Sequence, residues 1–182
     1  MPRLNNGKTE DLTPDQFNRL LQAIEADEHV QAGDMMKLAL YTGMRRGEMF
    51  RLEWKDIDFE RCFLCLRNPR GGVDQKIPLN GPARELLLSH PRLDSSEYVL
   101  PGRGGGRQRT DIRKQLNKIK QRAGLPKDFR ALHGHRHVYA SMLASSEEVE
   151  MYTLQKLLTH KSPQMRHYGG LSTWPGASWS RR

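Results

Sequence analysis

Cysteine is nearly absent from this chain, with two in 182 residues, Cys62 and Cys65. Two thiols cannot build the disulfide framework of a small secreted module, nor the four-thiolate set of many structural zinc sites. Their C-x-x-C spacing falls in Arg61-Cys62-Phe63-Leu64-Cys65-Leu66-Arg67, whose composition reads as a β-strand. Residues three apart on a strand point to opposite faces, so the pair is read as ordinary strand residues rather than as a chelate. Long apolar runs are missing as well: no stretch approaches the ~18 consecutive apolar residues of a membrane span. The opening MPRLNNGKTED has no apolar secretory core. No membrane partner is expected, and the expected compartment is the cytoplasm. The glycine run Gly102-Arg103-Gly104-Gly105-Gly106-Arg107 lacks the Lys-Ser/Thr that completes a phosphate-binding P-loop, so a nucleotide cofactor is not expected either.

Acidic charge is the scarcer sign, with 21 Asp and Glu against 30 Lys and Arg and a net charge of +9. Its placement says more than its size. Between residues 101 and 136 lie eleven basic residues opposed only by Asp111 and Asp128, so this window carries the whole excess and the rest of the chain is neutral. A concentrated basic stripe is the footprint of a surface that binds a phosphate backbone; a solvated helix face is the alternative that charge alone leaves open.

The length and the 36% hydrophobic content suit one packed domain. Residues 1–12 read as a flexible lead-in. Thr13-Pro14-Asp15-Gln16 is a capping box with proline at the first helical position, and Phe17, Leu20, Leu21 and Ile24 follow at helical spacing, predicting a helix to about residue 27. A second helix is predicted over 32–41 with Gly43 as its stop, and a short third over 45–52. A strand over 57–66, a Gly71-Gly72 turn and a strand over 75–79 form a hairpin. Helices over 81–89, 110–123, 133–145 and 152–158 follow, with a short strand at 98–100. The fold class is therefore α+β, mostly α-helical with a small antiparallel β-sheet.

Three segments carry the chemistry. They are Tyr41-Thr42-Gly43-Met44-Arg45-Arg46-Gly47-Glu48, then Leu132-His133-Gly134-His135-Arg136-His137, then Leu157-Leu158-Thr159-His160-Lys161-Ser162 with Tyr168 close behind. In this order, with a hairpin between the first two, they resemble the boxes T-G-[ML]-R-x-x-E, H-x-L-R-H and L-x-H plus tyrosine of the tyrosine recombinase (phage integrase) family. The resemblance covers roughly residues 12–168, nearly the whole chain. It implies the catalytic core of a DNA breaking and rejoining enzyme that works through a 3′-phosphotyrosyl intermediate. Arg45 and Arg136 would clamp the non-bridging phosphate oxygens, where two-pronged guanidiniums suit the charge that builds in the transition state. His133 and His160 would donate hydrogen bonds or move protons. Tyr168 would be the nucleophile, and Glu48, one turn after Arg45, would orient that arginine.

The resemblance implies neither metal nor other cofactor. His133, His135 and His137 could suggest a metal cluster, but only the first and last share a helix face, and no carboxylate or cysteine completes a set. Double-stranded DNA is the implied partner, with self-association into a tetrameric synapse. The expected DNA contacts are Arg107 and Arg109 ahead of the basic helix and Arg113, Lys114, Lys118 and Lys120 on it. The catalytic domain is expected over 13–168, with an atypical tail over 169–182 and without the N-terminal core-binding domain that such enzymes carry. A bacterial or phage origin is implied.

Three positions depart from the family pattern. Arg70 stands where a hairpin lysine serves as general acid, and Lys76 on the same hairpin is the candidate substitute. His135 replaces the usual leucine. Tyr168 falls eight residues after His160 rather than nine. These departures keep a second reading open, a catalytically impaired DNA-binding remnant or truncated integrase, and a third, a type IB topoisomerase-like relaxing enzyme.

Overall fold

The computed structural model describes residues 12–69 and 72–145. Arg70, His160, Tyr168, the helix expected over 152–158 and the tail lie outside the described residues.

The first helix, α1 (Pro14–Glu25), begins where its cap dictates: the Thr13 hydroxyl accepts from the Gln16 amide at 3.3 Å and the Gln16 side chain accepts from the Thr13 amide at 2.9 Å. Helix α2 (Val30–Thr42) is the centre of the molecule. Ala32, Gly33, Met35, Met36, Leu38, Ala39, Leu40 and Thr42 are buried, while Asp34, Lys37 and Tyr41 form a half-buried stripe along the remaining face. So wide an apolar face calls for several partners, and α1, α4, α5 and α6 pack against it. Gly43 ends it in the left-handed conformation (φ 64°), a geometry that a Cβ penalises, and donates its amide to the Ala39 carbonyl. Helix α3 (Arg46–Arg51) follows after two further residues.

The expected single strand over 57–66 is two strands. β1 (Ile57–Asp58) and β2 (Phe63–Leu66) pair antiparallel, and β3 (Gln75–Pro78) completes a three-stranded sheet in the order β1-β2-β3. The Asp58 carboxylate accepts the Arg61 amide at 2.8 Å and turns the chain back, with Cys62 at φ 55°. Cys62 is therefore an exposed turn residue and only Cys65 lies on a strand; both thiols are free. The strand expected at 98–100 is reduced to one bridge, Tyr98 to Glu53.

Helix α4 (Gly81–Ser89) starts on an Asn80 cap. The basic helix, α5 (Arg113–Arg122), begins three residues later than expected, because Asp111 takes the amides of Ile112 and Arg113 and fixes the start there. Arg122, at the end of α5, reaches the Ala26 carbonyl at the end of α1 (3.3 Å) and Asp27 (3.0 Å), binding the two helices through the negative end of α1. Helix α6 (Ala131–Ser145) then lies along α2. Thus α2 carries the first motif at its C-terminal end, and α6 carries the second motif in its first two turns.

Replacing Gly43 with alanine forces a Cβ into the left-handed turn. Urea denaturation is expected to show a loss of about 1–2 kcal/mol.

Candidate active site

The first motif is shaped by the stop at Gly43. Thr42 closes α2 by donating its hydroxyl to the Leu38 carbonyl at 2.6 Å, and its oxygen accepts the Met44 amide at 3.3 Å. Met44 is buried, which leaves Arg45 as the extended residue before α3 (φ −76°, ψ 153°). Glu48 reaches back to it twice. One carboxylate oxygen accepts the Arg45 amide at 2.7 Å and the other accepts the Arg45 guanidinium at 3.0 Å. The Glu48 side chain is only 3% exposed, so this is a shielded, two-point grip that fixes both backbone and side chain of Arg45.

The second motif opens α6. Arg136 is buried, and its Nη1 donates to the Gly43 carbonyl, joining the two motifs directly. His133 and His137 lie one turn apart with their Nε2 atoms 3.0 Å from one another. Between them His135 points inward and is completely buried. Its Nδ1 meets the Ala131 carbonyl, while its Nε2 has no hydrogen-bond partner among the described residues. Burial drives its pKa down to about 4, only partly opposed by that carbonyl. The leucine expected here is thus replaced by a neutral imidazole with an unmet polar atom, a destabilising exchange.

Around these residues the structure holds an open cavity of about 690 Å³. Arg45, His133 and Arg136 all line it, so three of the expected site residues from two distant segments meet at one place. The lining contains seven arginines and lysines against one carboxylate, Asp128. Arg46, Lys127 and Arg130 belong to it although the motifs do not single them out; their signal in the sequence is adjacency to Arg45 and to the 131–137 segment. Arg46 also lies over the Phe50 ring at 5.9 Å. Such a cavity suits a polyanion, and its guanidiniums suit a phosphodiester.

The expected DNA-contacting side chains divide into two kinds. Arg107, Lys114 and Lys118 are exposed, and so is Arg113, which lines the cavity while paired with Asp111. Arg113 holds the Asp111 carboxyl down at about 2. Arg109 and Lys120 differ from these in being buried. Arg109 is buried and donates to Gln31 and to the Pro101 carbonyl, tying the glycine turn to the start of α2. Lys120 is also buried, and its Nζ donates to the carbonyls of Lys127 (2.9 Å) and Phe129 (3.0 Å). A buried ammonium satisfied by two carbonyls holds a loop, here at the wall of the cavity that Lys120 also lines. That loop seats Phe129 on Gly134, where any Cβ would overlap the ring, and so sets where α6 begins. Lys76 is exposed on β3 and is not part of the cavity lining. Tyr139, one turn past Arg136, does not imitate a nucleophile: burial pushes its hydroxyl up to about 12 against the pull of Arg136.

Two measurements check these assignments. Lys120→Met should slow any strand cleavage and lower the melting temperature, yet leave the salt slope of DNA binding unchanged, whereas losing a phosphate contact lowers that slope by about 1. For His135 the folded-state pKa lies below the unfolded value, so the unfolded chain binds the extra proton and stability falls as pH drops from 6.5 towards 4. His135→Leu should remove that loss, roughly 3 kcal/mol over this window, in denaturation followed at pH 7 and pH 4.5.

Comparison with known proteins agrees with the fold and the motifs. The Phage integrase family model matches residues 10–168. The tyrosine recombinase XerA of Pyrococcus furiosus is 26% identical over 168 residues, covering 88% of this chain and 57% of that protein. XerC of Erythrobacter litoralis is 30% identical over 128 residues, covering 69% of this chain and 41% of its own length. The chain thus spans about half the length of these relatives. Among solved structures, the Tn1549 transposon integrase in complex with transposon right end DNA superposes with a TM-score of 0.73 at 20% identity, covering 92% of this chain and 64% of that one. A lambda integrase tetramer bound to a Holliday junction gives 0.66 at 22% identity, with 85% and 46% covered. The solved structures share the fold, the family model covers nearly the whole chain, and this chain belongs to the phage integrase family.

Proposed function

We propose that this chain is the catalytic part of a site-specific DNA recombinase, cleaving and rejoining double-stranded DNA through a 3′-phosphotyrosyl intermediate. One observation carries the reading: Arg45, Arg136 and His133 converge on a single cationic cavity although the first is some ninety residues from the others in sequence. A scissile phosphodiester in that cavity would lie between two guanidiniums. Arg45 is held by Glu48 and Arg136 by the Gly43 carbonyl, so neither needs to reorganise when charge develops on the phosphate oxygens.

In the proposed reaction the Tyr168 oxygen attacks phosphorus, the bond to the 5′-oxygen breaks, and the tyrosine carries the 3′-phosphate. A 5′-hydroxyl from the same or another strand reverses the step, so no external energy source is consumed. His133 and His160 donate hydrogen bonds to the phosphate or take up the tyrosine proton. The leaving 5′-oxygen needs a proton. Arg70 retains its own too firmly for that task, and Lys76, on β3 but outside the cavity lining, is the candidate donor. The exposed Arg107, Arg113, Lys114 and Lys118 would track the DNA backbone, with Arg46, Lys127 and Arg130 nearer the scissile phosphate. Strand exchange between two duplexes would require assembly of several copies on DNA. The likeness to XerA and to lambda integrase, a tetramer when bound to a Holliday junction, supports that reading.

A nicked suicide substrate traps the intermediate because the 5′ product diffuses away. Incubated at low salt with candidate attachment sequences, the protein should give a covalent DNA adduct on a denaturing gel that Tyr168→Phe abolishes. Arg136→Lys should reduce its rate by roughly 10²–10³, and Arg70→Lys should increase it. DNA binding without an adduct under any of these conditions contradicts the enzymatic reading and leaves a DNA-binding remnant.

A further inference from the structure

Helix α5 has two faces of opposite character. Leu116, Ile119 and Lys120 are buried, and the helix packs on α1, α2 and α6. Arg113, Lys114, Asn117, Lys118 and Gln121 are exposed. At about 100° per residue these five fall within one sector of roughly 140°. Arg113 stands at one border of the sector, and Lys118, with Lys114 beside it, at the other. Asn117 and Gln121 lie between them, at about 40° and 80° from Arg113. Two carboxamides thus run in a row along the middle of the face, with cations on either side.

The cations suit a phosphate backbone, but the amides do not add to that attraction. A carboxamide has no net charge; it offers an acceptor and two donors in one plane. That set matches the major-groove edge of adenine, whose N6 amino group donates and whose N7 accepts. Among the described residues, no side-chain hydrogen bond holds either amide. The spacing fits as well. Four residues of helix advance about 6 Å, close to the ~6.8 Å of two base-pair steps, and a groove about 12 Å wide admits a helix.

We infer that the exposed face of α5 reads DNA sequence in the major groove, with Asn117 and Gln121 each pairing an adenine, the two adenines lying two base pairs apart. Each amide nitrogen donates to N7 and each amide oxygen accepts from N6, while Arg113, Lys114 and Lys118 hold phosphates along the two walls of the groove. Asn117 and Arg113 also line the cavity of Arg45 and Arg136, so the adenine that Asn117 meets is the one nearer the scissile phosphate. The inference rests on the DNA binding in the function proposed above, not on its chemistry.

The test is a binding selection with the full chain from a random double-stranded DNA library at low salt, with sequencing of the retained fraction. The unaltered protein should enrich sites with two adenines two base pairs apart. Asn117→Ala should lower discrimination roughly tenfold or more at one of these positions, and Gln121→Ala at the other. Neither should change the salt slope of binding, whereas Lys118→Ala should reduce it by about 1. All three side chains are exposed, and circular dichroism should show an unchanged fold in each variant. No enriched sequence, an unchanged preference in either amide variant, or an affinity loss equal for every sequence overturns the inference; the last would assign the amides to the DNA backbone. Selected binding that depends on both amides yet yields no covalent adduct supports the base reading and contradicts the cleavage reaction, which separates the two ideas.

Discussion

A hydrogen bond from the buried Arg136 guanidinium to the Gly43 carbonyl joins the two halves of the site. A guanidinium out of water must have its donors met or it costs several kcal/mol. Here a backbone oxygen meets one of them, and that oxygen is available because α2 ends in a left-handed glycine instead of continuing. The demand of the charge and the stop of the helix therefore fix each other. The packing of α6 along α2, the central helix–helix contact of the molecule, keeps the two in register across 93 residues of sequence.

Further charges are spent inside the protein to hold the same arrangement. Glu48 grips Arg45 from beneath, and Lys120 gathers the 127–129 loop so that Phe129 can rest on Gly134 at the start of α6. Arg109 and Arg122 fasten the ends of α2 and α1. The basic excess of the 101–136 segment is thus of two kinds, a set exposed at the surface and an internal set that keeps the cavity in shape. Such internal cations contribute to rigidity, and rigidity is what electrostatic catalysis on a phosphodiester needs.

Much of this is legible in the sequence because local chemistry decides it. Thr13 to Gln16 announces its helix, Gly43 its stop, and the spacing of Arg45 and Glu48 their mutual grip. The α+β class follows from the change of apolar period after residue 56. What stays hidden depends on partners that periodicity does not identify. Nothing in the local pattern distinguishes Lys118, which is exposed, from Lys120, whose ammonium finds two carbonyls of a loop beyond the helix end. Arg109 reads as a surface cation because its acceptors, Gln31 and Pro101, are brought to it only by the fold. The segment over 57–66 reads as one strand because both arms suit a sheet, and the short turn between them is set by one carboxylate, Asp58.

The central claim is that Arg45 and Arg136 act as one device on one phosphate. A double-mutant cycle tests it directly: the rate of covalent adduct formation at saturating DNA, measured for Arg45→Ala, Arg136→Ala and the double variant. Residues that act as a unit are strongly non-additive, so the double variant should be hardly slower than the worse of the two single variants. Losses that simply multiply would contradict the account, since they would place the two guanidiniums on independent tasks.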